Sequence, residues 1–447
     1  MTAPYPIPPF PGPVAAQVAI PGSKSITNRA LLLGALTRQA VTLRGALFSR
    51  DTRIMTQALR TLGFHVVTDE TVPAITITGR GGMVPADSAE LDIGNAGTAA
   101  RFLTAFLNLK TGGKFALDGD PEMRRRPVEG LLDGLRTQGA EVGFKGKYGH
   151  FPFTMTTNGL SGGAITVDAS MSSQILSALL MVAPKARSDT TITPRGGTVH
   201  RPFIEMTIAM MGQFGIHVDA TENQFNIPSG TDYELPAPEY QVEPDATAAG
   251  YFLTLPATVG GEVSIPGLGT GTLQGDLAFT NVLRAVGLEV SVATDGLRAR
   301  RGKSPLKGIT AEFTDFSDTF LTLAALAPLL RSPTRITGIA HTRAQETDRV
   351  SAMAAELRKL VGPENVREEE GALEIHPNPE ALAAAARTGV TIETYEDHRI
   401  AMSFAILGCA DVRGDGRPWL SIRNPLCCRK TFPGFFEVLD SLKPEAL

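Results

Sequence analysis

Side chains able to move protons or hold anions fall into a few short clusters. The first is Pro21-Gly22-Ser23-Lys24-Ser25-Ile26-Thr27-Asn28-Arg29, where an amine, hydroxyls and a guanidinium open an apolar stretch. Lys24 and Ser25 stand at a helix start, and Arg29 follows about one turn on, on the same face. A cation, a hydroxyl and the free N–H groups of a helix N-terminus suit a phosphate or a carboxylate. The motif is not a P-loop, because Gly and Lys are not adjacent and the upstream glycine spacing is absent. The second cluster is Arg124-Arg125-Arg126-Pro127. Such a run is commonly just solvated, and Arg126, beside Pro127, is the member placed to be held rigidly. The others are Asp318, Glu346-Thr347-Asp348-Arg349, Asp397-His398-Arg399 and Cys428-Arg429-Lys430-Thr431-Phe432-Pro433. Together they supply carboxylates for proton transfer and cations for a multiply charged ligand. Singly each is weak: Asp318 could only cap a helix, and His398 could be a satisfied core histidine.

The elements that must position these side chains recur along the chain. An amphipathic stretch ending in Gly, followed by an alternating segment, appears around Gly63, Gly139, Gly215 and Gly287, and more loosely before Gly362. Glycine suits the position just past a helix, where φ is positive, and the alternation that follows suits a strand. A second pattern interleaves with it, a short polar cluster opening a small-residue apolar helix. Its copies are Ser23-Lys24-Ser25, Gly94-Asn95-Ala96-Gly97-Thr98, Ser172-Ser173-Gln174, Asp245-Ala246-Thr247, Ser317-Asp318-Thr319 and Glu396-Asp397-His398-Arg399. Both patterns repeat at about 75 residues, so six units account for the chain. A helix apolar all round must be buried, and its polar N-terminus then offers free N–H groups to an anion. Two groups of three units would aim several such termini at one cleft. The alternative is that each Ser, Thr, Asp or Asn is merely an N-cap, although capping does not account for the Lys and Arg beside them.

Composition narrows the function classes. With 42 Lys plus Arg against 46 Asp plus Glu in 447 residues, the net charge is -4, and nothing global favours nucleic acid or an anionic membrane. Aromatics make up only 6% of the chain, which argues against stacking platforms for single strands. Three cysteines give neither a disulfide framework nor a metal spacing, which suits a reducing cytoplasm. The proline-rich start has no signal-peptide pattern, and the apolar runs near 175–184 and 320–330 are too short to span a bilayer. No metal site is expected.

In order along the chain, the motifs Pro21–Arg29, Gly94–Ala99, Ser172–Gln174, Glu346–Arg349, Asp397–Arg399 and Lys430–Pro433 closely resemble those of the 5-enolpyruvylshikimate-3-phosphate (EPSP) synthase family. The resemblance implies an α/β fold, the two-domain inside-out α/β barrel of six βαβαββ repeats, three per domain. One domain would span 22–240, on the shikimate 3-phosphate side. The other would combine 1–21 with 241–447 and carry phosphoenolpyruvate and acid–base residues, the cleft closing on substrate. The implied reaction moves the enolpyruvyl group of phosphoenolpyruvate to the 5-hydroxyl of shikimate 3-phosphate through a tetrahedral intermediate, with loss of phosphate and no cofactor. By the same resemblance Lys24 touches both substrates, and Ser25 and Arg29 hold the shikimate carboxylate. Ser172 and Ser173 hold its phosphate, with Gln174 packed between the substrates. Asp318 takes the hydroxyl proton, Glu346 protonates C3, and His398 joins Lys24 and Lys430 in the catalytic set. Asn95, Gly97, Arg126, Arg349, Arg399 and Lys430 receive phosphoenolpyruvate, whose place the inhibitor glyphosate takes.

The chain departs from the family pattern at several substrate-facing positions. His200 stands where a phosphate-binding Ser is common, Phe203 for a Tyr, His341 for an Asn and Gln345 for a Lys. His200 could still donate to phosphate and Gln345 to a hydroxyl, so a divergent transferase acting on a related cyclic acid is an alternative. So is a UDP-N-acetylglucosamine enolpyruvyl transferase, but that family uses a Cys in its N-terminal domain, and here no Cys precedes Cys409. A non-catalytic repeat scaffold would not require Lys24, Asp318, Glu346 and Lys430.

Overall fold

The computed structural model describes residues 3–196 and 201–444. The chain divides into two compact units, Gly22–Glu243 and, discontinuously, Met1–Pro21 with Pro244–Leu447.

The repeat seen in the sequence is the repeat of the fold. Each unit holds three small sheets of one design: a parallel pair extended by antiparallel strands. In Gly22–Glu243 these are Glu239–Gln241 beside Ala40–Arg44, Ser88–Asp92 beside Thr111–Asp118, and Gly163–Asp168 beside Thr190–Arg195. In the discontinuous unit the parallel pairs are Val14–Gln17 with Gly261–Pro266, Thr310–Glu312 with Thr334–Thr337, and Val390–Ile392 with Leu420–Ile422. Tyr5–Ile7 closes the last of these sheets antiparallel to Leu420–Ile422. The chain therefore lends Val14–Gln17 to one unit before entering the other. It later leaves Glu239–Gln241 behind in the second unit on its return.

Inside each unit the apolar helices form the core. Gly97–Leu107 and His398–Gly408 are buried at every residue, and Lys24–Leu36 from Ile26 onward. Ala246–Val259, Phe320–Leu326 and His398–Gly408 pack on one another, and Thr322 and Ser403 share a hydrogen bond at 3.3 Å within that packing. Gly97–Leu107 likewise packs on Lys24–Leu36 and Ser173–Val182. Burying one Leu on such a helix contributes roughly 1.5–3 kcal/mol, so truncating Leu323 to Ala would cost about 2–5 kcal/mol. The amphipathic helices Arg50–Thr61, Glu129–Thr137, Arg201–Gln213, Phe279–Val286 and Arg349–Val361 cover the outside. Each ends before one of the repeat glycines. Gly287 caps Phe279–Val286 at φ 119°, accepting a conformation that a Cβ would oppose, and Gly63, Gly139, Gly215 and Gly362 share the positive φ.

Four of the six polar clusters cap their buried helices through a side chain, whereas those before Gly97–Leu107 and Phe320–Leu326 do not. The side chains of Ser23, Ser172, Asp245 and Asp397 accept from backbone N–H groups of the first turn. No helix among the described residues is long and apolar enough to cross a membrane.

Candidate active site

In the discontinuous unit, two helix starts and two short 3-10 segments, Ser317–Thr319 and Pro425–Lys430, bring six charged side chains into one network. Arg349 opens the helix Arg349–Val361 and is 1% exposed. Its Nε donates to Asp397 Oδ2 at 2.7 Å, Nη1 to Asp318 Oδ1 at 2.9 Å and Nη2 to Glu346 Oε2 at 2.8 Å. Nη1 also donates to the Gln345 amide oxygen. Asp318 then reaches across to Arg399, which donates to Oδ2 at 2.6 Å. Glu346 reaches to Lys430, whose Nζ donates to Oε1 at 2.8 Å. Asp318 and Glu346 thus each join two cations.

A buried cation is costly unless compensated. Burial by itself would lower the pKa of Arg349, but Asp397, Glu346 and Asp318 more than offset it and hold the charge well above the ordinary arginine range. Arg399 is raised against its burial in the same way, chiefly by Asp318. Tyr251, itself pushed up by burial, accepts from Arg399 Nη1 at 3.4 Å. Asp397 both caps its helix, accepting from the Arg399 N–H at 2.8 Å, and serves Arg349. His398 is buried, its Nδ1 3.7 Å from Asp397 Oδ1. His341 pairs with Ser317 Oγ at 2.9 Å, and desolvation lowers its pKa. Sequence reading singled out neither Asp276 nor Tyr251. Asp276 is buried, accepts from Thr247 at 3.0 Å, and is pushed up to about 7 by desolvation and then by Asp318.

In the unit Gly22–Glu243, Lys24 lies half-buried at the first position of its helix, its Nζ 3.5 Å from the buried Asp51 Oδ2. Asp51 also escaped the sequence reading, although the capping box at Ser49 and Thr52 marks the helix start that places it. Ser25 is half-buried beside Lys24, and its carbonyl accepts from Arg29 at 3.1 Å. Arg29 turns into the core. It donates to Thr207 at 2.7 Å, and to Ser177 and the Phe203 carbonyl at 3.2 and 3.1 Å. Its guanidinium lies over the rings of Phe102 and Phe203, at 5.2 and 5.8 Å. None of these partners is a carboxylate, and burial pushes Arg29 down to about 9. The Arg29 charge is met here by neutral acceptors and aromatic faces alone.

Asn95 and Gly97 stand at the start of Gly97–Leu107, where Arg126 Nη1 donates to Asn95 Oδ1 at 3.4 Å. Ser172 caps Ser173–Val182, Ser173 is buried, and Gln174 donates to Thr98 at 3.3 Å. The Gln174 amide oxygen is buried and has no protein partner. Of the arginine run, Arg124 is exposed and bound to Asp118 at 2.6 Å, whereas Arg126 is the half-buried one. His200 lies outside the described residues.

The sequence profile described as EPSP synthase (3-phosphoshikimate 1-carboxyvinyltransferase) matches residues 10–439. The chain is 51% identical to the 3-phosphoshikimate 1-carboxyvinyltransferase of Opitutus terrae, over 99% of this chain and 98% of that one. It is 41% identical to that of Trichormus variabilis, over 96% and 97%. Among solved structures, EPSP synthase from Acinetobacter baumannii matches with a TM-score of 0.78 at 24% identity, covering 99% of this chain and 98% of that one, a likeness of fold. With the repeat, the cation–carboxylate network and nearly full-length identity in agreement, the chain belongs to the EPSP synthase family.

Proposed function

We propose that this enzyme transfers the enolpyruvyl group of phosphoenolpyruvate to the 5-hydroxyl of shikimate 3-phosphate and releases phosphate. The observation that carries the reading is the pair of carboxylates Asp318 and Glu346, each bound to two cations, in a chain 51% identical to a 3-phosphoshikimate 1-carboxyvinyltransferase. Phosphoenolpyruvate brings a phosphate and a carboxylate. These anions take over Arg349, Arg399 and Lys430 from the internal carboxylates, and Arg126, Asn95 and the Gly97 backbone are further phosphoenolpyruvate contacts in this reading. Once its cations are shared with substrate, Asp318 accepts the proton of the attacking hydroxyl as oxygen bonds to C2. Glu346, released in the same exchange, takes up a proton from solvent and delivers it to C3. Loss of a C3 proton and of the phosphate then restores the enol ether. Lys24 touches both substrates, and His398 supports the Asp397 end of the network.

Arg29 and Ser25 hold the shikimate carboxylate, and Ser172, Ser173 and Gln174 lie along the phosphate and the ring. Gln345, His341 and His200 complete that binding set. Gln345 faces Arg349 with its carbonyl, which a Lys at this position could not do. In this reading the enzyme acts as a cytoplasmic monomer without a cofactor, and glyphosate competes for the phosphoenolpyruvate position.

The test is phosphate release from phosphoenolpyruvate with either acceptor. Release with shikimate 3-phosphate and none with UDP-N-acetylglucosamine is expected. Release with the sugar nucleotide alone overturns the reading, and none with either favours a non-catalytic scaffold.

A further inference from the structure

Among the described residues, Tyr395 (φ 52°), Glu396 (φ 60°) and Asn424 (φ 50°) are the non-glycine positions with left-handed backbone. The side chains of two of them meet, with Asn424 Nδ2 donating to Glu396 Oε1 at 2.7 Å. Residues with a Cβ resist this region, and such strain persists only where surrounding structure over-determines it. Tyr395–Glu396 runs directly into Asp397-His398-Arg399, and Asn424 directly into the 3-10 segment Pro425–Lys430. Two of the three segments that deliver a cation of the network, those of Arg399 and Lys430, therefore leave from strained residues.

The first of these turns is held from a different helix. Glu356, on Arg349–Val361, is fully buried. Its Oε1 accepts from the Tyr395 hydroxyl at 2.8 Å, and its Oε2 accepts from the Glu393 N–H at 3.1 Å and Lys359 Nζ at 2.5 Å. A carboxylate is buried only where donors meet it, and two of these donors belong to the chain leading into the turn. One helix thus carries Arg349 at its first residue and, about two turns further, the carboxylate that clamps the approach to Arg399.

We propose that Glu356 is a positioning residue: with Tyr395 it locks the Tyr395–Glu396 turn, and so fixes Asp397 and Arg399 against Arg349 and Asp318 where the phosphoenolpyruvate anion is received. The inference rests on the site reading above. A Gln at position 356 offers one acceptor and one donor to three donors, so either orientation of the amide breaks part of the clamp.

The test is steady-state kinetics of Glu356→Gln, Tyr395→Phe and, as reference, Arg399→Ala, varying each substrate in turn. Tyr395→Phe keeps the ring and removes one hydrogen bond on a partly exposed side chain, so it stays informative if Glu356→Gln folds poorly. Both positioning variants should raise KM for phosphoenolpyruvate roughly fivefold, the weight of about one net hydrogen bond. They should leave KM for shikimate 3-phosphate and kcat near the parent values. A merely structural role would reduce the active fraction and lower kcat with both KM values intact, and that result overturns the proposal. So does an unchanged KM for phosphoenolpyruvate in Tyr395→Phe while Arg399→Ala raises it. If Arg399→Ala leaves that KM unchanged as well, the site reading itself fails and the proposal falls with it.

Discussion

A Cβ on Gly97 would lie 2.7 Å from both terminal nitrogens of Arg126. The obstacle is the far end of a flexible side chain, so the fold can yield where the ligand site cannot. Gly97→Ala should therefore melt within about 1 kcal/mol of the parent, since Ala is a better helix former than Gly. Displacing Arg126 should raise KM for phosphoenolpyruvate roughly ten- to a hundredfold, the weight of a charge-assisted contact of about 1.5–3 kcal/mol. Glyphosate should bind correspondingly more weakly. Unchanged KM and unchanged inhibition together would separate Arg126 from that site.

Asp318→Asn tests the proposed base. The amide keeps the shape but loses the charge shared by Arg349 and Arg399, and it cannot accept the hydroxyl proton. A kcat lower by roughly 10²–10⁴-fold is expected from losing a general base. Equilibrium binding of shikimate 3-phosphate should stay within a few-fold of the parent. A kcat close to that of the parent would assign the proton to another group.

Asp397→Asn separates the two tasks of one side chain. Asn caps helices as well as Asp does, so the backbone contact to Arg399 can survive. The ion pair at 2.7 Å with Arg349, both residues essentially inaccessible, cannot. Breaking one partner of a buried pair costs about 3–5 kcal/mol. Urea denaturation should show a loss of that order, and a loss near zero would mean that Asp318 and Glu346 suffice for Arg349.

Asp276 gives stability a pH dependence. Burial and the neighbouring Asp318 push its folded pKa up to about 7, above the ordinary aspartate range. The folded chain therefore keeps a proton that the unfolded chain releases, and this contribution to stability falls as pH rises from about 4 to 7. The groups facing Asp276 are Asp318, Asp245, Arg399 and the Thr247 hydroxyl. Asp276→Asn removes the titration. Relative to the parent, the variant should gain roughly 2 kcal/mol on going from pH 5 to pH 8. Equal stability differences at the two pH values would show that Asp276 does not titrate there.

Much of this molecule was legible in its sequence because repetition exposes backbone constraints. The glycines at 63, 139, 215, 287 and 362 each end an amphipathic helix with positive φ, and a residue type so tied to one conformation can be read without a structure. The apolar helices behind Ser23, Ser172, Asp245 and Asp397 were legible for the same reason. Pairing was not. Arg349 and Asp397 lie 48 positions apart, and Arg399 and Asp318 81, and nothing local says which carboxylate meets which cation. Arg29 shows the limit within a single helix. Its spacing puts it on the face of Lys24 and Ser25, yet its long side chain bends inward to Ser177 and Thr207, residues of other repeats. Asp276, Tyr251 and Glu356 carry no motif and gain their meaning only through what is folded over them.

That Val14–Gln17 pairs within the discontinuous unit and Glu239–Gln241 within the other has a consequence for how the protein can be rebuilt. Ser23 N–H meets the Glu243 carbonyl at 2.8 Å, and Asp245 N–H meets the Pro21 carbonyl at 2.9 Å. The two ends of the stretch 22–243 therefore lie side by side, as do the two ends left when it is removed. In the language of gene architecture, one unit is an insert in the other, with its splice points already touching. A short peptide joining Pro21 to Pro244 would leave the outer unit with every strand of its three sheets.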